Sequence, residues 1–289
     1  MPPPAAPAAP RRRALARTII LDRALEALPL FRLSDSADDS AISFQPDAGG
    51  RWRVIPAPGD RLPGTFDQDV YVELLHRFHD AGAPSDGAVT FTLHNFLRSM
   101  GRKADGRTYE QLRAALVRLE RTQLESGGAW IEAATGRAAD ARFTVLSSVV
   151  IDRRRTMERD QLPLFPTLSA SEPGDARVHI ALPLRANIAA GYTCTLSVAH
   201  YLALSSPVAR RLYRLLEVVR AEGRDAWTQP LERLAERLPL TQRYPSHLQR
   251  VLQPAHEMLV AAGVVRDARF RQERREWFAE YQLAARPAE

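Results

Sequence analysis

The stretch at 105–126, DGRTYEQLRAALVRLERTQLES, has the periodicity of a single amphipathic helix. Its apolar positions recur at the spacing of one helix face and are Leu112, Ala115, Leu116 and Leu119. Thr108 and Gln111 have the spacing of a capping box, which predicts that the helix begins at Thr108. The opposite face is polar around one small residue and carries Arg107, Glu110, Ala114, Val117 and Arg121, with Gln111, Arg113 and Arg118 on its flanks.

Two shorter helices and two hairpins are predicted around this long helix. Asp67 or Asp69 can cap a helix over about 70–80, and Thr92 can cap the next over 93–100. Extended apolar segments flank the turn at 47–50, and two more flank a Gly/Ala/Asp turn within 129–152. The order helix, helix, long helix, hairpin is typical of a winged helix-turn-helix.

The same pattern returns in the second half of the chain. PLERLAERLPL at 230–240 predicts a short helix, and PSHLQRVLQPAHEMLVAAG at 245–263 predicts a long amphipathic one that Pro254 should kink. Two strands around a charged turn are predicted within 264–283. We therefore expect an α+β fold, mainly helical, with two tandem winged helix-turn-helix domains and β-hairpin wings. The expected boundaries are a flexible Pro/Ala/Arg arm at 1–17, domain 1 at 18–160, a linker at 161–175 and domain 2 at 176–289.

The charge balance favours a polyanionic partner. The chain of 289 residues has a net charge of +6, and Lys103 is the one lysine among its 40 basic residues. Codon bias in a GC-rich genome would explain the ratio of arginine to lysine, but not the excess of cations. Nucleic acid is a natural partner for such a chain, because neutralised phosphates release counterions.

The sequence shows no sign of export or membrane insertion. Cys194 is the single cysteine, so no internal disulfide is possible and a reducing compartment is expected. The N-terminal stretch MPPPAAPAAPRRR has no apolar core, and no apolar run is long enough to span a bilayer. We expect a cytoplasmic protein without a membrane partner.

The polar faces of the two long helices are the candidate DNA-binding surfaces. A helix in the major groove can read guanine with arginine and adenine with glutamine. Suitable side chains on the first helix are Arg107, Thr108, Gln111, Arg113 and Arg118, and on the second Ser246, His247, Gln249, Arg250 and Gln253. Arginines near hairpin turns can hold phosphates, and these are Arg137, Arg142, Arg269, Arg271, Arg274 and Arg275. Solvated helix faces and ordinary surface ion pairs remain the alternative interpretation.

Catalytic patterns are missing from the sequence. The seven histidines are dispersed, and none forms the His-x-His pair of a metal-dependent nicking enzyme. No Gly-rich phosphate loop of the Walker type occurs. His76 and His79 could share a helix face, but surface residues are the simpler interpretation. We expect neither enzymatic activity nor a metal or cofactor.

Two ordered motifs resemble the plasmid replication initiator protein A family of tandem winged-helix initiators. DGRTYEQLRAALVRLERTQL at 105–124 follows the family pattern D-G-R-x-Y-x-Q-L-R-x-A-L-x-R-L. LSVAHYLALSSPVARRLYRLLEVVR at 196–220 is similar to the segment with the pattern P-x-x-R-R-L-Y. The matching positions are Asp105, Gly106, Arg107, Tyr109, Gln111, Leu112, Arg113, Leu116 and Leu119, then Pro207, Arg210, Arg211, Leu212 and Tyr213. The chain departs from the pattern in its N-terminal arm, in the short SGG link and at Pro254.

The resemblance implies a sequence-specific double-stranded DNA-binding initiator. Such a protein recognises direct repeats, called iterons, at a plasmid origin and recruits the host replicative helicase or initiator protein. It also implies cycling between monomer and homodimer. A transcriptional repressor of the same fold that never initiates replication is the nearest alternative, and an origin-nicking enzyme is the alternative from another class.

Overall fold

The protein has an α+β fold in which both helices and strands are prominent. A computed structural model describes residues 18–33, 40–152 and 175–285. The expected arm at 1–17, and all of the expected linker except residue 175, lie outside these ranges. Four sheets occur within the described ranges, so the expectation of a mainly helical fold is not confirmed. No helix described here is long and apolar enough to cross a membrane.

The first half of the chain begins with two short elements and a hairpin that precede a helical unit. The elements are β1 (Thr18–Asp22), α1 (Arg23–Glu26), β2 (Ile42–Phe44), β3 (Arg51–Ile55), α2 (Thr65–Asp80), β4 (Ala88–Thr92), α3 (Leu93–Ser99), α4 (Gly106–Arg121), β5 (Gln123–Glu132), β6 (Arg137–Phe143), β7 (Leu146–Ile151) and β8 (Asp175–Ile180).

The second half repeats the helical unit after three short elements. The elements are α5 (Leu182–Ala189), β9 (Thr193–Ser197), α6 (Val198–Ala203), α7 (Pro207–Ala221), β10 (Ala226–Pro230), α8 (Leu231–Arg237), α9 (Pro245–Ala261), β11 (Val265–Glu273) and β12 (Glu276–Leu283). Helix α9 runs through Pro254, whose side chain is exposed.

Sheet topology makes the internal repeat explicit. One sheet has the order β4-β8-β7 and another has the order β10-β12-β11, so each unit places its last strand between the other two. Each unit runs helix, strand, helix, long helix and two strands, and the first unit carries the extra strands β5 and β6 before β7. We call α2–β8 the first module and α7–β12 the second module.

The two long helices bury the same pattern of positions. On α4 the fully buried residues are the four that the periodicity predicts, Leu112, Ala115, Leu116 and Leu119. On α9 the matching buried residues have identical spacing and are Leu252, Ala255, His256 and Leu259. His256 therefore replaces a leucine in the core, where its Nε2 lies 2.8 Å from the Tyr281 hydroxyl. Burial lowers the pKa of His256 to about 4, so the ring is neutral at physiological pH.

Two helix starts differ from the sequence prediction. Helix α4 begins at Gly106, because Asp105 is its N-cap and accepts from the Thr108 amide at 3.0 Å. Thr108 completes the capping box from inside the helix, so its predicted place at the start is wrong. Helix α2 begins at Thr65, five residues before the predicted start, and Asp67 accepts from the Gly64 amide at 2.6 Å. The Thr92 cap of α3 is confirmed.

Strand β8 is paired with the first module, although the predicted boundaries assign all but its first residue to domain 2. It lies between β4 and β7, with Val178 opposite both Val89 and Val149. Ala176, Val178 and Ile180 alternate toward the core and are buried. The difference arises because the other strands of this sheet precede β8 by more than twenty residues. Local sequence patterns do not predict pairing between strands so far apart in the chain. The predicted hairpin at 129–152 is likewise divided, since β6 pairs with β5 and β7 pairs with β8.

A buried ion cluster joins the start of the chain to the second module. Arg211 and Arg214 of α7 are 2% and 1% exposed, and both contact the carboxylate of Glu26 in α1. Arg214 lies 3.1 Å from Glu26 Oε2, and Arg211 lies 3.2 Å from the same oxygen. Tyr71 of α2 donates to Glu26 Oε1 at 2.8 Å. We call these four residues the Glu26 cluster.

Further bonds extend the Glu26 cluster between the modules. Arg214 donates to the Gln68 side chain at 2.8 Å, and Gln68 in turn donates to the carbonyl of Pro207 at 3.1 Å. Arg211 donates to the carbonyls of Glu26 and Leu28 at 2.9 and 2.8 Å. Strand β1 also pairs with β9, so the chain before the first module is attached to the segment before the second.

Asp22 is a second buried acid at the same junction. Its carboxylate accepts from the Ala24 amide at 2.9 Å, the Asn187 side chain at 3.1 Å and the Trp130 indole at 3.3 Å. Burial nevertheless dominates and raises the pKa of Asp22 to about 7. Asn187 also donates to the carbonyl of Ile131 at 2.8 Å. Asp22 and Asn187 together therefore connect α1 and α5 to β5.

Glu26→Ala is expected to lower the free energy of unfolding by about 3 to 5 kcal/mol, because it leaves two buried guanidinium groups without a counter-charge. Urea titration followed by circular dichroism measures the loss. Glu273→Ala, which removes an exposed partner of Arg271, is the matched control and should leave stability unchanged within error. A Glu26 variant as stable as this control would contradict the assigned role of the cluster.

Stability is expected to depend on pH through Asp22. Its folded pKa of about 7 lies above the unfolded value of 3.8, so its contribution is complete below pH 3.8 and is lost as pH rises through 7. From pH 5 to pH 8 the free energy of unfolding of wild type should therefore fall relative to Asp22→Asn by about 2 to 3 kcal/mol. Urea titrations at both pH values provide the test, and parallel pH profiles would contradict the prediction.

Candidate nucleic-acid interface

The outer face of α4 has polar side chains at its start and a small side chain at its centre. Arg107 and Gln111 are exposed, and neither side chain has a hydrogen-bond or ion-pair partner among the described residues. Ala114 is exposed in the middle of the face, and Val117 follows with 37% exposure. A backbone can approach a base pair closely at such a small residue, while arginine and glutamine reach the base edges.

Three other predicted residues of α4 have structural partners. Thr108 is occupied by the capping box and also donates to the carbonyl of Lys103 at 2.5 Å. Arg113 pairs with Glu110 at 2.6 Å on the helix surface. Arg118 forms a forked contact with Asp67 of α2, its Nη2 lying 2.8 Å from Oδ1. Arg118 is therefore directed toward α2, and it joins α4 to α2 within the first module.

The outer face of α9 keeps most of its predicted side chains accessible. Ser246, His247 and Arg250 are exposed, and no described residue holds the Arg250 guanidinium. Gln253 is exposed but donates to Glu257 at 2.9 Å. Gln249 is half-buried, and its Nε2 is buried without a hydrogen-bond partner in the described part of the chain. The first two turns of α9 thus form the polar end of the face.

The hairpin that carries Arg137 and Arg142 lies in a different sheet from the one expected. Strands β5 and β6 extend β2 and β3 in the order β2-β3-β5-β6, whereas the strand pair that corresponds to β11 and β12 is β7 and β8. Arg142 lies 2.8 Å from Glu125, which Arg53 also contacts. These arginines lower the pKa of Glu125 through hydrogen bonding and charge. Arg137 is exposed where the hairpin turn ends.

Some arginines of the hairpin of β11 and β12 pair with acidic residues of the same hairpin, and others have no such partner. Arg269 and Arg271 contact Glu280 at 2.9 and 2.5 Å, and Arg271 also contacts Glu273 at 2.6 Å. Hydrogen bonds from Arg271 and Arg269 lower the pKa of Glu280. Arg274 and Arg275 are exposed in the turn, Arg274 with a φ of +55°, and their guanidinium groups have no partner among the residues described here. The turn thus carries positive charge that no acidic residue of the hairpin neutralises.

Three exposed residues near α9 were missed by the sequence prediction. Arg243 and Tyr244 lie in the turn between α8 and α9, and Arg266 is the second residue of β11. Their side chains are exposed and, within the described ranges, have no ion-pair or hydrogen-bond partner. The signal that could have identified them is position, because the turn before α9 and the strand after it adjoin this helix in the sequence.

The described residues contain no group of three histidine, cysteine or acidic side chains arranged to hold a metal ion. His76 lies 3.5 Å from Glu73 in the buried part of α2, while His79 is in the last turn. The expected absence of metals, cofactors and catalytic residues stays a prediction.

Arg118→Ala is expected to destabilise the protein, whereas Arg107→Ala is not, because only Arg118 has an acidic partner among the described residues. Arg118→Ala leaves the buried Asp67 carboxylate without its counter-charge and should lower the free energy of unfolding by about 1 to 3 kcal/mol. Arg107→Ala removes no internal contact and should leave stability unchanged. Urea titration measures both, and equal stabilities for the two variants would contradict the distinction.

Comparisons with known proteins identify related folds. Residues 21–258 match the family described as Replication initiator protein A. No curated protein matches the chain. A solved structure of domains 2 and 3 of RctB covers 88% of this chain and 94% of its own, with 13% identity and a TM-score of 0.52. The Pi initiator protein, solved in complex with iteron DNA, covers 94% of this chain and 99% of its own, with 11% identity and a TM-score of 0.51.

The solved structures share the fold across nearly the whole chain, although few residues are identical. The family match begins within β1 and ends in α9, so it covers the first module, the second module as far as α9, and both sequence motifs. The chain belongs to the Replication initiator protein A family.

Proposed function

We propose that this protein is a sequence-specific double-stranded DNA-binding initiator of plasmid replication, and that each module is a winged helix-turn-helix. The repeated strand order supports the second part, because α3 with α4, and α8 with α9, each precede a strand pair that can act as a wing. Family membership supports the first part. The similar fold of the Pi initiator, which was solved with iteron DNA, adds to that support.

The observation that carries the proposal is the presence of two long helices with buried inner faces and accessible polar outer faces. Arg107 and Gln111 on α4, and His247 and Arg250 on α9, are exposed, and their side chains have no hydrogen bond or ion pair among the described residues. These residue types can form bidentate or single hydrogen bonds to base edges. We propose that the two faces read separate parts of one origin repeat, without enzymatic activity and without a cofactor.

The uncommitted positive charge of the second module is concentrated in and beside α9. Its exposed arginines whose guanidinium groups have no partner in the described part of the chain are Arg243, Arg250, Arg266, Arg274 and Arg275. The first module has four such arginines, and they lie on four separate elements: Arg98 on α3, Arg107 on α4, Arg137 on β6 and Arg177 on β8. Phosphate contacts by free arginines determine the position of a protein on the duplex. We therefore propose that α9 and its hairpin supply most of the phosphate contacts.

Purified protein is expected to bind DNA containing the direct repeats beside its own gene more tightly than random DNA. With about six to ten phosphate contacts, affinity should fall by roughly 10³ to 10⁵ between 50 and 200 mM salt. Fluorescence anisotropy with both duplexes over this salt range measures the effect, and footprinting identifies the repeat. Equal affinity for repeat and random DNA at every salt concentration would exclude the proposed function.

Arg250→Ala is expected to cost about 1 to 3 kcal/mol of specific binding if its guanidinium contacts a base. Arg271→Ala is the matched control, because this exposed arginine already pairs with Glu280 and Glu273. It should therefore weaken specific binding by less than Arg250→Ala does. Anisotropy titrations on the footprinted repeat compare the two. A greater loss for Arg271→Ala would place the contact on β11 instead of α9.

Plasmid maintenance tests whether DNA binding serves replication. A plasmid that carries this gene and its flanking repeats should replicate in a host that supplies the replicative helicase, and it should be lost when Arg107 and Arg250 are both replaced by alanine. Loss of the wild-type plasmid, together with specific binding in vitro, would indicate a repressor. Relaxation of supercoiled origin DNA by the protein with Mg²⁺ would indicate a nicking enzyme.

A further inference from the structure

Tyr244 is the most exposed of the large apolar side chains in the described ranges. It is 70% exposed in the turn between α8 and α9, immediately before the first residue of α9. Its ring meets the ring of His247 edge to face, with centroids 5.7 Å apart and planes at 81°. Within the described part of the chain, its hydroxyl has no hydrogen-bond partner. The ring is therefore oriented by one neighbour and otherwise open to solvent.

Stability does not explain an aromatic residue at this position. The corresponding N-cap of α4 is Asp105, whose side chain accepts from the Thr108 amide, whereas Tyr244 makes no side-chain cap bond. Serine or aspartate at an N-cap stabilises a helix relative to a residue whose side chain makes no cap bond. Only the backbone of Tyr244 serves the helix, since its carbonyl accepts from the amides of His247 and Leu248 at 3.0 Å.

Tyr244 offers an apolar contact next to polar residues in the sequence. Arg243 precedes it, and Ser246 and Arg250 follow on the first two turns of α9; all three are exposed. Residues at the start of a recognition helix contact base edges. Among the four bases, thymine alone presents a methyl group in the major groove. The edge contact with His247 restricts the ring before binding, which lowers the entropy cost of ordering it against DNA.

We propose that Tyr244 is a specificity-determining residue whose ring contacts the 5-methyl group of a thymine in the origin repeat. The inference rests on the proposed function, because it requires α9 to enter the major groove. It adds a residue that reads sequence through an apolar contact, beside the arginine and glutamine contacts that the helix face offers.

Deoxyuridine substitution tests the contact, because it removes the methyl group and preserves base pairing. Each thymine of the footprinted repeat is replaced in turn, and each duplex is titrated with wild type, Tyr244→Phe and Tyr244→Ser. At one thymine, wild type and Tyr244→Phe should lose about fourfold in affinity on substitution, the value for burying one methyl group. Tyr244→Ser should bind the thymine duplex at least about fourfold more weakly, and substitution at that position should cause no further loss.

Three results would overturn the inference. In the first, the affinity of wild type does not change on substitution at any thymine. In the second, Tyr244→Ser loses as much affinity as wild type on substitution at the same thymine. In the third, Tyr244→Phe and Tyr244→Ser bind the thymine duplex equally weakly, which would assign the contact to the hydroxyl. Thermal unfolding confirms that Tyr244→Ser is folded, since serine can cap α9. If wild type binds repeat and random DNA equally, the proposed function itself fails; specific binding with one of the three results removes only the role of Tyr244.

Discussion

Glu26 holds two guanidinium groups of α7 in a region that water does not reach. Separating Arg211 and Arg214 from this carboxylate would leave charges buried without partners, which costs far more than breaking a surface ion pair. Tyr71 brings α2 into the same cluster. Helix α7 is thus both the first helix of the second module and the internal partner of α1 and α2. The relative position of α4 and α9 depends on this cluster.

The described arginines include two physical classes that composition alone does not separate. Arg118, Arg211 and Arg214 are fixed by acidic partners in or near the core and join one element to another. Arg107 and Arg250 lie on outer helix faces, and no described side chain neutralises them. Among the described residues, the positive charge available to a polyanion therefore comes from a minority of the arginines. The acidic residues that pair with the others also determine which surfaces remain cationic.

The sequence predicts the local elements well and the long-range pairing poorly. The buried face of α4 and the Thr92 cap follow from helical spacing and capping chemistry, both of which depend on neighbouring residues. The place of β8 in the first module could not be predicted, because its partners are distant along the chain. Whether Arg118 faces Asp67 or solvent depends in the same way on how α2 packs. Tyr244 was missed because it lies in the turn before α9 and not on a helix face.

A distance measurement between the two outer helix faces tests the central claim most directly. Spin labels on Ala114→Cys and Gln253→Cys, in a background of Cys194→Ala, report the separation of α4 and α9 by pulsed electron spin resonance in the absence of DNA. If the Glu26 cluster fixes the modules, the distance distribution is single and narrow, and Glu26→Ala broadens it. A broad distribution in the background protein, or a narrow one that Glu26→Ala leaves unchanged, would contradict the account.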